Sequence, residues 1–205
     1  MATTQNRFAF LNQSENRESF FARIAQIFPR SDVRFHLIEK AYDTAKDAFR
    51  GIERDGGERY FEHIRAVTLI LVDYLYIRDH ELIIAAILHD LVEDIAAWDV
   101  ERVEREFGIR VARLVDYLSK PRASEMPDKR ERERIYHDRF EQAPREFFIV
   151  KMADRLHNLL TLGSCSEEKR RRKMVETVTH YLPHARKHLI LVHEIEDALA
   201  ALGGG

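Results

Sequence analysis

Apolar residues recur along the chain at spacings of three and four, and no stretch alternates with period two over any length, so an all-α fold is expected. Phe20, Phe21, Ile24 and Ile27 make one stripe, with Ser14 placed to cap its helix and Pro29 to end it. Asp32 can cap a longer helix through Ile38, Tyr42, Ala45 and Phe49 that closes at Gly51. The polar turn Arg54 to Tyr60, with paired glycines, precedes a helix carrying His63, Val67, Ile70 and Leu71. Later helices are expected from Asp99 to Phe107, from Ile109 to Leu118, from Pro144 onward and from about Pro183 to Leu202. The charged run Asp128 to Arg134 reads as a solvated helix face or a connector, and Lys169 to Lys173, flanked by Glu167, Glu168 and Glu176, as a solvated face. About nine or ten helices joined by short loops predict one compact domain over residues 14–202, with flexible ends at 1–13 and 203–205.

One stretch departs from simple amphipathicity. Ile83 to Leu88 is an unbroken apolar run that ends in His89-Asp90 and, three and four positions on, Glu93-Asp94. Read as one helix at about 100° per residue, Asp90, Glu93 and Asp94 share a face with His89 at its edge. Three carboxylates so close repel one another and are costly to bury, a conflict that a divalent cation would resolve. A second aspartate in an unusual place is Asp154, which follows the apolar Phe147 to Met152 and shares a helical face with Asn158 one turn on. If His63, His89-Asp90 and Asp154 converge from three helices, two imidazoles and two carboxylates surround one cation. Such mixed donors suit Mn²⁺ or Fe²⁺ and, with less preference, Zn²⁺ or Mg²⁺.

Composition narrows the function classes. Lys plus Arg number 33 against 35 Asp plus Glu, which gives no argument for nucleic acid or an anionic membrane as partner. The single cysteine, Cys165, excludes an intramolecular disulfide and fits a reducing compartment. With no apolar leader and no run near the roughly 18 apolar residues of a membrane span, a soluble, cytoplasmic protein is expected.

The order H…HD…D resembles the signature of the HD phosphohydrolase superfamily. Three segments make the likeness narrower: Gly57 to His63 is similar to the Gly-Glu-Pro-Tyr-x-x-His entry of the RelA/SpoT-homologue hydrolase domain, with Arg59 in place of proline. Ala86 to Asp94 resembles that family's HD-x-x-ED motif, and Lys151 to Leu162 its block around Ala-Asp-Arg-Leu-His-Asn. With the weaker echoes the likeness covers roughly residues 18–190, and the chain looks like a stand-alone small alarmone hydrolase.

The resemblance implies Mn²⁺-dependent removal of the 3′-pyrophosphate from (p)ppGpp, with one ion per chain held by His63, His89, Asp90 and Asp154. Glu93 and Asp94 would orient or deprotonate water and pass a proton to the leaving 3′-oxygen, and spacing does not say which does which. Asn158 and Thr161 would contact the nucleotide, and Arg54 would stack on its base. Asp55 and Leu160 stand where the family commonly has cations, which bears on substrate choice. (p)ppApp, another nucleotide such as NADPH, or a non-catalytic nucleotide-sensing helical module are the alternatives.

Overall fold

The structure, a computed structural model, describes residues 7–12 and 15–203. Among the described residues no strand forms; the antiparallel bridge between Glu53 and Arg59 merely closes a turn. The α-helices, in chain order, are α1 (Arg17–Ile24), α2 (Val33–Ala48), α3 (Tyr60–Leu69), α4 (His80–Ile87), α5 (Leu91–Asp94), α6 (Val100–Phe107), α7 (Ile109–Leu118), α8 (Lys129–Asp138), α9 (Arg145–Leu160), α10 (Glu167–Glu176), α11 (Leu182–His188) and α12 (Val192–Gly203). Two π turns, Ile70–Tyr74 and Thr177–Tyr181, extend α3 and join α10 to α11.

The centre of the molecule is α4. Every residue from Leu82 to Leu88 is buried, so this helix is apolar all round and packs against α2, α3 and α7. Helix α9 lies beside it, with Phe147, Phe148, Val150, Met152, Ala153 and Leu156 buried. Each large side chain so placed contributes about 1.5–3 kcal/mol relative to exposure. That burial lets the ends of these helices carry polar groups that would not be stable together on their own.

Local signals account for most boundaries. Asp32 caps α2 by accepting from Arg34 N, and Asp128 caps α8 by accepting from Arg130 N and Glu131 N, so the charged run after it is a solvated helix face. Gly108, at φ 91°, lets the chain turn from α6 straight into α7. The expected Ser14 cap lies outside the described residues; α1 begins later, with Asn16 accepting from Ser19 N and the Ser19 side chain answering the Asn16 N–H.

Two sequence expectations are corrected. The run 83–94 is not one helix: α4 stops at Ile87, Leu88 and Asp90 take turn geometry, and α5 starts afresh at Leu91. Nor is 183–202 continuous. Leu189 adopts φ 55°, and the Ile190 N–H reaches back to Ala185 O, which ends α11 and allows Ile190 and Leu191 to turn into the core while Leu189 stays exposed. Of the segment expected to be a flexible lead, residues 1–6 and 13 lie outside the described residues; within it Phe8 is buried, with its ring 4.6 Å from that of Tyr74.

Candidate metal and nucleotide site

The break after α4 builds the site. Adjacent residues on a continuous helix diverge by about 100° and do not face each other. The turn at Leu88-His89-Asp90 instead brings His89 Nε2 and Asp90 Oδ2 to 2.9 Å. His89 is fully buried, and its Nδ1 donates to Ala86 O at 2.8 Å, which leaves Nε2 as the free face of the ring. That Nε2 has no hydrogen-bond partner.

Two other helices converge on this point. His63, in the first turn of α3, is buried rather than at the surface, and its Nε2 lies 3.3 Å from Asp154 Oδ1 and 3.8 Å from Asp90 Oδ2. Asp154, from the middle of α9, also sets Oδ1 3.9 Å from His89 Nε2. The ligand atoms of His63, His89 and Asp90 all lie within 4.8 Å of one another. Donors bound to one cation at about 2.0–2.2 Å stand roughly 3–4 Å apart; the His63, His89 and Asp90 atoms form the tight group, and Asp154 approaches it through the two imidazoles at 3.3 and 3.9 Å.

The electrostatics favour a positive charge at the same place. Burial would lower His89, yet Asp90 and Asp154 outweigh it and lift the imidazole to about 9. Burial would likewise raise Asp154, but buried Lys151, with Nζ 2.9 Å from Asp154 Oδ2, and the two imidazoles hold it well below the ordinary carboxylate range. His63 is lowered by burial. An orphaned imidazole nitrogen among anionic oxygens is a donor set that fits a divalent cation.

Glu93 and Asp94 flank this cluster in different surroundings. Glu93 accepts from Lys120 N at 3.0 Å and lies 3.6 Å from Lys120 Nζ. Asp94 is raised to about 6 by burial and by the charges of Asp90 and Glu93. The Tyr60 hydroxyl is 2.7 Å from Asp90 Oδ2 and 3.0 Å from Asp94 Oδ2, and its ring stacks on Phe49.

Of the expected nucleotide contacts, Arg54 and Asn158 line the same cleft, and Thr161 stands beside it, bonded to Arg54. Gly57, at φ 83°, closes a turn in which Arg54 N donates to Glu58 O. The turn aims the Arg54 guanidinium at Asn158 Oδ1 (2.6 Å) and Thr161 Oγ1 (3.1 Å). Asn158 Nδ2 then donates to Asp154 Oδ1 at 2.5 Å, so Arg54 is one residue removed from the cation cluster.

The cleft has a volume of about 290 Å³ and includes basic groups that the sequence left unassigned, among them Lys120, Lys151, Arg155, Lys169 and Lys173. Lys169 and Lys173 belong to the run read as a solvated face. On that face Lys169 pairs with Asp55 across the cleft mouth, and Lys173 with Glu176 at 2.9 Å. Their helix has no buried residue, as a solvated face requires, and its positions 169 and 173, one turn apart, border the cleft, a distinction hidden inside five consecutive cations. Lys151 had a weak signal, a cation three residues before Asp154 in an apolar run.

The family model for the HD domain matches residues 41–190. The chain is 35% identical over 189 residues to the bifunctional (p)ppGpp synthase/hydrolase SpoT of Escherichia coli, covering 91% of this chain and 26% of that protein. It is 37% identical over 158 residues to the guanosine-3′,5′-bis(diphosphate) 3′-pyrophosphohydrolase of Haemophilus influenzae, covering 75% of this chain and 23% of that one. The chain thus spans about a quarter of the length of the curated relatives it matches. A solved structure of a metazoan ortholog of SpoT, described as hydrolyzing ppGpp, has a TM-score of 0.73 at 24% identity, covers 82% of this chain and 96% of its own, and shares the fold.

Proposed function

The chain belongs to the HD domain family, and from that premise we propose that it is a metal-dependent phosphohydrolase that removes the 3′-pyrophosphate of (p)ppGpp to give GDP or GTP and pyrophosphate. The observation that carries the reading is that the cleft lined by His63, Asp90 and Asp154, with His89 buried behind them, is also lined by Arg54 and Asn158, and Arg54 ties Thr161 to it by a hydrogen bond. The names of the curated relatives support the substrate class.

In this reading His63, His89, Asp90 and Asp154 would hold one divalent cation, Mn²⁺ by the family likeness. A divalent cation supplies Lewis acidity towards a phosphoryl oxygen and makes water a better nucleophile at neutral pH. Water attacks the phosphorus joined to the 3′-oxygen; that P–O bond breaks, and the 3′-oxygen leaves as the ribose hydroxyl. Glu93, fixed by Lys120, orients and deprotonates the water. Asp94, raised to about 6 by burial and the neighbouring charges of Asp90 and Glu93, exchanges a proton readily near neutral pH, and its protonated fraction is suited to give one to the leaving oxygen. Arg54, Asn158 and Thr161 contact the nucleoside, and the guanidinium presents a flat face to its base. Lys169 and Lys173 add positive charge along the cleft wall. A cytoplasmic location belongs to the same reading and agrees with the lone Cys165.

Asp55 sets an acid at the cleft mouth, and this favours testing a second nucleotide beside the first. The experiment incubates purified protein and Mn²⁺ with ppGpp, pppGpp, ppApp and NADPH and resolves the products by ion-exchange chromatography. GDP or GTP with stoichiometric pyrophosphate is the expected result. Phosphate release from NADPH alone would replace the substrate, and binding without turnover in any metal would replace the enzymatic reading by a sensing one.

A further inference from the structure

His63 and His89 turn the same ring nitrogen, Nε2, towards Asp90 and Asp154, so each must keep its proton on Nδ1 to offer a lone pair there. For His89 the backbone enforces this, because Nδ1 faces Ala86 O at 2.8 Å and a carbonyl can only accept. His63 has no carbonyl or carboxylate in that position. Its Nδ1 lies 2.8 Å from Nδ1 of His157, with the two ring centroids 4.9 Å apart.

Two imidazole nitrogens at that distance share a single proton, one donating and the other accepting. We infer that His157 is a positioning residue for the cation: its Nδ1 accepts the Nδ1–H of His63, fixes that ring's tautomer and rotation, and carries its own proton on Nε2. The inference rests on reading His63 as a ligand. It adds a residue to the site that touches neither cation nor nucleotide and acts wholly through His63.

The placement follows from α9. His157 stands three residues after Asp154, so one helix supplies both a carboxylate of the donor set and the acceptor behind the opposite imidazole. A shift of α9 relative to α3 would disturb both at once. The arrangement also explains why an imidazole, able to accept at one nitrogen and donate at the other, occupies a position that an aliphatic residue could fill by packing alone. Partners of this kind behind a ligating histidine are commonly worth about 10–100-fold in metal affinity.

The test measures Mn²⁺ affinity by titration calorimetry without substrate for the wild type, His157→Asn and His157→Leu. Asparagine can place an accepting oxygen near the position of Nδ1; leucine fills space and accepts nothing. Affinity is expected to drop about 10–100-fold in His157→Leu and to stay within about threefold of wild type in His157→Asn. Equal affinities in all three would overturn the inference, as would equal losses in both variants.

Because the leucine variant can fail by misfolding, the ring state is also read directly in the wild type. Histidine ¹⁵N spectra of the Zn²⁺-loaded protein are expected to show His157 protonated on Nε2 and bare on Nδ1, and a proton on His157 Nδ1 would overturn the role. Neither measurement involves a nucleotide, so a wrong substrate assignment would leave this result standing. Normal turnover of (p)ppGpp with unchanged metal affinity in His157→Leu would remove His157 alone.

Discussion

His89 Nε2 and Asp90 Oδ2 lie 2.9 Å apart, and no hydrogen bond joins them. Two electron-rich atoms this close in a buried site need a positive charge between them, which a proton can supply in part and a divalent cation fully. Cation binding should therefore stabilise the fold. At a metal concentration of 100 times Kd the gain is about 2.7 kcal/mol, or roughly 5–10 °C in Tm for a domain of this size. Asp154→Ala should abolish that shift, and it should also lower the metal-free Tm, because Lys151 is left buried without its carboxylate. Thermal melts with and without Mn²⁺ check both, and a retained metal shift in Asp154→Ala would take Asp154 out of the donor set.

Glu93 sits beside the donor cluster without joining it, held by Lys120. Glu93→Ala is expected to bind Mn²⁺ as the wild type does while kcat falls by about 10²- to 10⁴-fold, the range for a positioned proton-transfer group. Steady-state kinetics with a parallel metal assay distinguish this from loss of the ion. Unchanged turnover would contradict the assignment.

Arg54 and Asn158 are joined at 2.6 Å, and Asn158 continues to Asp154. Arg54→Ala should raise KM for the nucleotide about tenfold or more with a smaller effect on kcat, since the guanidinium contacts the nucleoside and not the reacting phosphorus. Arg54→Lys should not restore it, because an ammonium lacks the flat face and the paired donors. A double-mutant cycle of Arg54 with Asn158 should be non-additive by about 0.5–3 kcal/mol.

Away from the cleft, burial and the neighbouring His180, stacked at 3.9 Å, lower His137 to about 4. Its surroundings also include Glu176, 3.9 Å from Nε2 and opposing the shift, with Lys120 and Arg155 reinforcing it. The unfolded chain, with an ordinary imidazole near 6.5, binds the extra proton first as pH falls. This group's contribution is therefore complete above about pH 6.5 and is lost as pH drops through 4, at most about 3 kcal/mol before solvent screening reduces it. Melts of His137→Phe between pH 7 and 4 should show a flatter pH dependence than wild type, and parallel profiles would remove His137 as the cause.

The all-α fold was legible because apolar spacing is a backbone-scale property, repeated in every helix from Phe20 to Leu199. So was the approach of His63, His89, Asp90 and Asp154 to one another, since these are polar groups that helical periodicity alone leaves unexplained. The turn inside 83–94 was not. No proline or glycine marks it, and the break at Leu88 shows only in the turn that brings His89 Nε2 and Asp90 Oδ2 to 2.9 Å. Leu189 misled for a similar reason: its left-handed backbone, usually a glycine's place, is held by the burial of Ile190 and Leu191. His157 and Tyr60 were invisible as partners because each acts through a residue distant in sequence, and Lys169 was masked by the cations around it.

The most direct test of the account is anomalous diffraction from crystals grown with Mn²⁺. A single strong manganese peak is expected at about 2.0–2.2 Å from His63 Nε2, His89 Nε2, Asp90 Oδ2 and Asp154 Oδ1 together. A peak elsewhere, or none at this point in crystals that hold manganese at another site, would contradict it.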